Sequence, residues 1–504
     1  MSVPRVGSTR RARETTEVHG EDDIGALRAL IEAPWFSVVH CGLRVDPFGA
    51  MARELLVVPV FRQQGARHMA GKPLHLGWFM NFTPGEWDHP LGAGGAPWDG
   101  RFYVDMAQAL ERACFDYIMI EDTLMVSEAY GESAEAALKH ALQVPKHDPA
   151  PLAALISAAT TRLGVVATMS TLAYPPFMLA RLCSTLDHIA GGRFGWNIVT
   201  SGEDIAAQNF GLDKLPPREA RYEMADEYVD LVCKLFDSWD PDAVVMDRAT
   251  GTYADFHKVR PIHFEGKYFK CRGPLNTVRS PQGKPVFVQA GGSPRGRAFA
   301  AKHADSIIAT ANGLEGMKGY RDDVRRHAAS FGRDPDEIKV LFLVYPILAE
   351  TDDEAQAKRQ RMISSPHFIE RALASTATVT DIDFSKFDLD QPLPRLTTNG
   401  EQGSLDKFAQ WGSGKTLRQL AMERFSAAGS ELDFVGSPDT VAEKMANAME
   451  AIGGDGFLIS TPFQRTSRRF IVEVTEGLVP ALQRRGLMRT AYSGRTLREV
   501  LAEY

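Results

Sequence analysis

The sequence predicts an α/β fold, a (β/α)8 or TIM barrel with insertions after strands four and seven. Three observations carry this expectation. Eight short apolar runs lie between residues 74 and 460 and alternate with segments of helical periodicity. Most runs are near-continuously apolar, as strands buried on both faces of a parallel sheet must be. Polar side chains collect where several runs end, which is where barrels of this kind place their sites. A doubly wound open sheet would satisfy the same periodicity; the count of eight favours the barrel.

The expected strands are Leu74–Phe82, Asp116–Glu121, Leu163–Met169, Phe194–Thr200, Pro285–Ala290, Ser306–Thr310, Val340–Leu348 and Gly456–Ser460. The clearest helix is Ala220–Trp239, where Tyr222, Ala225, Tyr228, Val229, Val232, Leu235 and Phe236 mark one apolar face. Pro216-Pro217 stands just before it, where proline is tolerated. Ser437-Pro438 opens another helix over 441–452. Two connections exceed ordinary loops, 201–284 and 365–435, and inserts of this size at the catalytic end commonly act as lids.

The chain has 504 residues, with 57 basic and 64 acidic side chains and a net charge of −7. That length supports a large core without disulfide or metal staples. A mildly acidic chain without a basic block argues against nucleic acid as a partner. No run is apolar enough for a membrane span. Five widely spaced cysteines, an odd number without Cys-x-x-Cys, fit reduced thiols in a cytoplasm. Residues 1–68 lack the alternating pattern. They are expected to be a poorly ordered extension, with 69–504 as a single barrel domain.

The strand ends carry the candidate chemistry. Strand one ends in Trp78, Phe79, Asn81 and Phe82, and the aromatics Trp78, Phe79 and Phe82 are candidate walls of a substrate pocket. Strand two ends in Glu121-Asp122, able to hold a ring N–H or a metal, or to cap a helix. Strand three ends at Thr168 and strand four at Asn197 and Thr200, so hydroxyls and an amide ring the mouth. Strand five runs into Gly291-Gly292-Ser293-Pro294-Arg295-Gly296-Arg297. Here Ser293 can cap a helix and Pro294 suits its first position. Gly292 permits close backbone approach, and Arg295 and the helix amino end favour an anion such as phosphate. An ordinary capped helix start explains the same segment equally well. No P-loop, Gly-x-Ser-x-Gly elbow, His-Glu-x-x-His or His-x-His occurs, so no metal site is expected.

Four long segments then point to a family: YPPFMLARLCSTLDHIAGGRFGWNIVTS (174–201), ARYEMADEYVDLVCKLFDSWD (220–240), GPLNTVRSPQGKPVFVQAGGSPRGR (273–297) and RTAYSGRTLRE (489–499). The chain resembles flavin-dependent monooxygenases of the bacterial-luciferase-like superfamily, in the branch of the nitrilotriacetate, EDTA and dibenzothiophene-sulfone monooxygenases. The likeness runs from about Leu74 to the C-terminus. It implies FMN, used as FMNH2 supplied by a separate NAD(P)H:flavin reductase, and oxygenation of a sulfone, amine or aminopolycarboxylate by O2. It implies FMN contacts at Asp122, Thr168, Arg218, Tyr222 and Ser293. Arg218 departs from the family pattern, which usually has His; a guanidinium can still bind phosphate bidentately. Relatives are commonly dimers or tetramers, so a homo-oligomer is implied. The flavin would carry the reaction, so no nucleophile–base pair is required. Rival readings are a deazaflavin-dependent oxidoreductase, a flavin-binding barrel without turnover and a metal hydrolase.

Overall fold

The computed structural model describes residues 72–81, 87, 98–424, 432–462 and 466–504. The expected extension 1–68 lies outside these residues. Eight parallel strands form a closed barrel: β1 (His75–Met80), β2 (Tyr117–Ile120), β3 (Gly164–Ser170), β4 (Phe194–Val199), β5 (Val286–Gln289), β6 (Ser306–Ala309), β7 (Lys339–Val344) and β8 (Gly456–Ile459). Strands adjacent in sequence are adjacent in the ring, and β8 pairs with β1, placing Trp78 opposite Ile459. The open-sheet alternative is thereby excluded.

The expected strand Val340–Leu348 is two separate pieces. The seventh barrel strand stops at Val344, and Ile347–Leu348 instead pair with Val435–Gly436 in a separate two-stranded sheet. Pro346 lies between the two pieces and has no N–H to give a ladder.

Two apolar layers follow from the strand alternation. Tyr117, Met119, Val166, Val286, Val288, Ile308, Leu341 and Leu458 form the inner layer within the barrel. Their sequence neighbours Ile118, Ile120, Val165, Ala167 and Phe287 belong to the outer layer, under the helices. Leu497 and Leu501, on a short C-terminal helix, join the inner cluster. A Cβ on Gly164 at the start of β3 would stand 2.5 Å from Leu497 Cδ1, so glycine there makes room for this plug. The amino end of the barrel is therefore filled, and the carboxyl end is left for a site.

The first insertion holds the long helix Arg218–Phe236, whose buried face is the predicted one, and two small hairpins. The second is more ordered than its polar composition suggests. Helices Phe368–Thr380, Gln402–Ala409 and Leu417–Glu423 share a core of their own, built on Phe368, Leu373, Phe384, Leu405, Phe408 and Leu420. No helix among the described residues is long and apolar enough to cross a membrane.

A buried charge network ties the C-terminal segment to the barrel. Asp116 accepts from Leu76 N at 2.6 Å and from Arg489 Nη2 at 2.9 Å, and His75 Nδ1 lies 2.8 Å from its Oδ1. Burial works to raise this carboxyl, but His75 and Arg489 outweigh it and hold it below the ordinary carboxylate value. Removing one partner of a buried ion pair strands the other, so Asp116→Ala is expected to cost about 3–5 kcal/mol in urea denaturation. The wild-type carboxylate contributes fully above its unfolded-state pKa. That contribution is lost as pH falls through the lower folded value, and the variant should not show this loss.

Candidate active site

The carboxyl ends of the strands open into a cavity of about 390 Å³. Its floor is made by inward-facing residues of the strands, among them Phe79, Met119, Thr168, Asn197, Gln289 and Ile308. The start of the long helix and the segment 400–408 of the second insertion form its walls.

Polar groups on the floor are coupled. Asn197 Nδ2 donates to Thr168 Oγ1 at 2.9 Å, and Thr168 Oγ1 points to Met119 Sδ at 3.5 Å. Asn197 Oδ1 is buried and has no partner among the described residues. A buried amide oxygen left without a donor is costly, so this atom marks a position where a ligand N–H fits. Beside it Ser170 Oγ and Ser201 Oγ are 2.7 Å apart, and Ser201 takes a left-handed backbone, φ 58°. Such strain in a non-glycine residue tends to gather at functional sites.

Charged groups at the cavity are strongly perturbed. Burial pushes Asp122 up to about 7, with Lys146 opposing the rise and Asp148 adding to it. Its neighbour Glu121 is neutralised by Lys146 at 2.9 Å, and neither acid caps a helix. Burial, reinforced by Glu401, also pushes Glu203 up to about 7. On the insertion, burial and the nearby Arg424 bring Lys407 down to about 8.

Two arginines fasten the insertion over the cavity. Arg218 Nη2 donates to the carbonyls of Thr398 at 2.6 Å and Gly400 at 2.9 Å. Arg221 donates from Nη1 to Pro216 O at 2.8 Å and from Nη2 to Asn399 O at 2.9 Å. Below them the backbones of Gly292 and Gly403 touch: a Cβ on Gly403 would lie 3.0 Å from Gly292 Cα. Only glycine allows the insertion to sit this close.

Eleven of the residues singled out in the sequence share this cavity: Phe79, Asn81, Glu121, Asp122, Thr168, Asn197, Thr200, Arg218, Tyr222, Gly292 and Ser293. Ser293 Oγ accepts from Gly296 N at 3.1 Å, so it caps the helix Pro294–His303 while facing the cavity. Tyr222 packs its ring on Phe299 and approaches Gly296, where a Cβ would meet its hydroxyl at 2.8 Å. Two residues differ from expectation. Trp78 points outward and packs against Phe115 and Phe470 in the outer layer, because alternation sends only one of Trp78 and Phe79 inward. Arg295 stands apart from the cavity lining, donating to Asp226 and stacking over the Tyr222 ring, and Arg297 pairs with Asp323. Phe82 lies outside the described residues. Gln289, Glu203, Glu401, Lys407 and Arg424 also line the cavity and had not been singled out. Inward alternation along β5 could have found Gln289. The two insertion cations carry no local signal.

Comparison with known proteins adds a family. The family described as luciferase-like monooxygenase matches residues 74–456. A dibenzothiophene-sulfone monooxygenase of Rhodococcus erythropolis (strain XP) is 36% identical over 448 residues, covering 87% of this chain and 97% of that protein. Nitrilotriacetate monooxygenase component A of Aminobacter aminovorans is 34% identical, over 86% of this chain and 97% of its own. A solved structure of a riboflavin lyase with modified FMN and riboflavin superposes with a TM-score of 0.77 at 34% identity, covering 86% of this chain and 96% of that one.

The arginine fastening makes a direct prediction. Arg221→Ala removes the donor from two carbonyls, a loss of about 1–3 kcal/mol in local stability. Limited proteolysis followed by mass spectrometry should then show faster cleavage within 398–403. Unchanged cleavage rates would contradict the role assigned to Arg221.

Proposed function

The chain belongs to the luciferase-like monooxygenase family, and on that footing we propose that it is a two-component flavin-dependent monooxygenase. It takes reduced FMN from a separate NAD(P)H:flavin reductase and uses O2 to oxygenate a small organic substrate of sulfone, amine or aminopolycarboxylate type. The observation that carries this reading is an orphaned amide oxygen, Asn197 Oδ1, on the cavity floor, held in place by the bond that Asn197 Nδ2 donates to the Thr168 hydroxyl. A flavin ring presents N–H and C=O groups along one edge, which is the chemistry that such a floor answers. The nitrilotriacetate relative is named as a component A, which supports a partner protein in the system.

The donor set fits FMN. Thr168, Asn197 and Asp122 would take the ring edge. Gly292 and Ser293, at the amino end of the helix Pro294–His303, would face the phosphate, with Arg218 beside them. Tyr222, its ring buried and its hydroxyl near Gly296, would meet the cofactor between these ends. When bound, reduced FMN supplies the electrons for oxygen activation. The chain's own residues bind, orient and shield. Phe79, Met119, Ile308 and Leu343 give the floor an apolar share. The insertion, held by Arg218 and Arg221, excludes water from the cavity, which protects a reactive species from decay.

An anaerobic titration with FMNH2 tests the reading. One site per chain is expected, and Asn197→Leu should weaken it about 10- to 100-fold, the loss of a hydrogen bond worth about 1–3 kcal/mol. With a flavin reductase and NADH supplied, the wild type should consume O2 in step with oxidation of a sulfone, amine or aminopolycarboxylate. Failure to bind reduced flavin would overturn the proposal.

Asp122 gives a second test. Its carboxyl is held at about 7, so around neutrality it passes from donor to full acceptor as pH rises. Riboflavin, which lacks the phosphate and its titration, should bind more tightly as pH rises through that value, read by fluorescence quenching. The rise should vanish in Asp122→Asn. A profile unchanged in the variant would remove Asp122 from the ring edge.

A further inference from the structure

Away from the cavity, the second insertion meets the connection after β2 at two imidazoles and one carboxylate. His367 and Glu370 stand three residues apart at the start of the helix Phe368–Thr380 and so share one face. His140 follows the short helix Glu135–Lys139. Glu370 Oε2 lies 3.1 Å from His140 Nε2 and 3.3 Å from His367 Nδ1. All three ligand atoms fall within 4.8 Å of one another. Ligands on a tetrahedral zinc ion with bonds of about 2.0–2.1 Å stand about 3.3 Å apart. Two of the three edges already have that length.

We propose that His140, His367 and Glu370 form a binding site for a divalent transition-metal ion that ties the second insertion to the barrel. Two imidazoles and a carboxylate are a donor set suited to zinc and its neighbours rather than to calcium or magnesium. His140 is 7% exposed and His367 is 55% exposed, so the site has a dry side and a side open to a water ligand. The His367 side chain caps no backbone group of its helix and is placed to turn toward an ion. Lys139 Nζ lies 3.4 Å from both Glu370 oxygens. The ion takes over that neutralising charge, and the partly exposed ammonium moves to water.

The site joins two segments that reach the cavity. Three residues beyond His140, Gln143 lines the cavity, and near the far end of the helix carrying Glu370 so does Val379. A bound ion therefore braces two parts of the cavity wall from outside. His140 and Glu370 are 230 residues apart in the chain, so no ligand spacing announces the site in the sequence.

The test is calorimetric titration of the full-length, chelator-treated chain with ZnCl2 in a non-coordinating buffer. One ion per chain is expected, with affinity at least tenfold weaker in each of His140→Ala, His367→Ala and Glu370→Gln. His367→Ala is the decisive variant, because its side chain is exposed and its loss leaves the fold intact. Co2+ should give the visible absorption of a tetrahedral site in the wild type and lose it in the same variants. Absence of saturable binding, or equal affinity in the wild type and all three variants, would overturn the proposal and leave a hydrogen-bonded charge cluster.

Discussion

Every group in the cavity depends on one seam, the pairing of β1 with β8 that closes the barrel. The seam is tight: a Cβ on Gly456 would lie 1.9 Å from the carbonyl oxygen of His75. Closure removes both sheet edges. It also brings residues from both ends of the described chain together, as in the bond between Ser460 Oγ and Asn81 Oδ1, 379 residues apart in sequence. With the amino end plugged by Leu497 and Leu501, the carboxyl end becomes the place where strand-end side chains converge.

The second constraint is how the cavity acquires its roof. The long helix after β4 presents Arg218 and Arg221, and each spends its guanidinium on backbone carbonyls of 398–400 or the turn before the helix. Glycine on both sides lets the roof rest on the Gly291-Gly292 corner. Arg218 is thus both a cavity group and a roof fastener, which is a physical reason for arginine rather than histidine at this position. A shorter imidazole could not donate to two carbonyls from one nitrogen-bearing fork.

The barrel was legible in the sequence because a strand buried on both faces must be apolar throughout, and eight such runs survive any reasonable choice of boundary. Thr168, Ser293 and Asp122 were legible for a related reason: polar residues at the ends of apolar strands stand out. What was not legible depended on distant partners. Arg295 looked like an anion ligand until Asp226, on another helix, took its charge. Trp78 and Phe79 are chemically interchangeable as pocket walls, and only the register decides that Phe79 faces inward. Lys407 and Arg424 reach the cavity through an insertion whose own small core is assembled from residues 368–420, too dispersed to read as a periodic stretch.

Charge follows the same logic. The chain as a whole is acidic, yet the cavity balances three raised carboxyls, Asp122, Glu203 and Glu401, against arginines and a lowered lysine. Each shift stems first from burial, so the shifts depend on the roof being in place. On the proposed function, this roofed cavity is a flavin site. A crystal structure of the chain grown with FMN tests it most directly. The flavin ring should lie against Thr168 and Asn197, with the phosphate beside Ser293. Flavin bound anywhere else, with Asn197 Oδ1 still unpartnered, would contradict it.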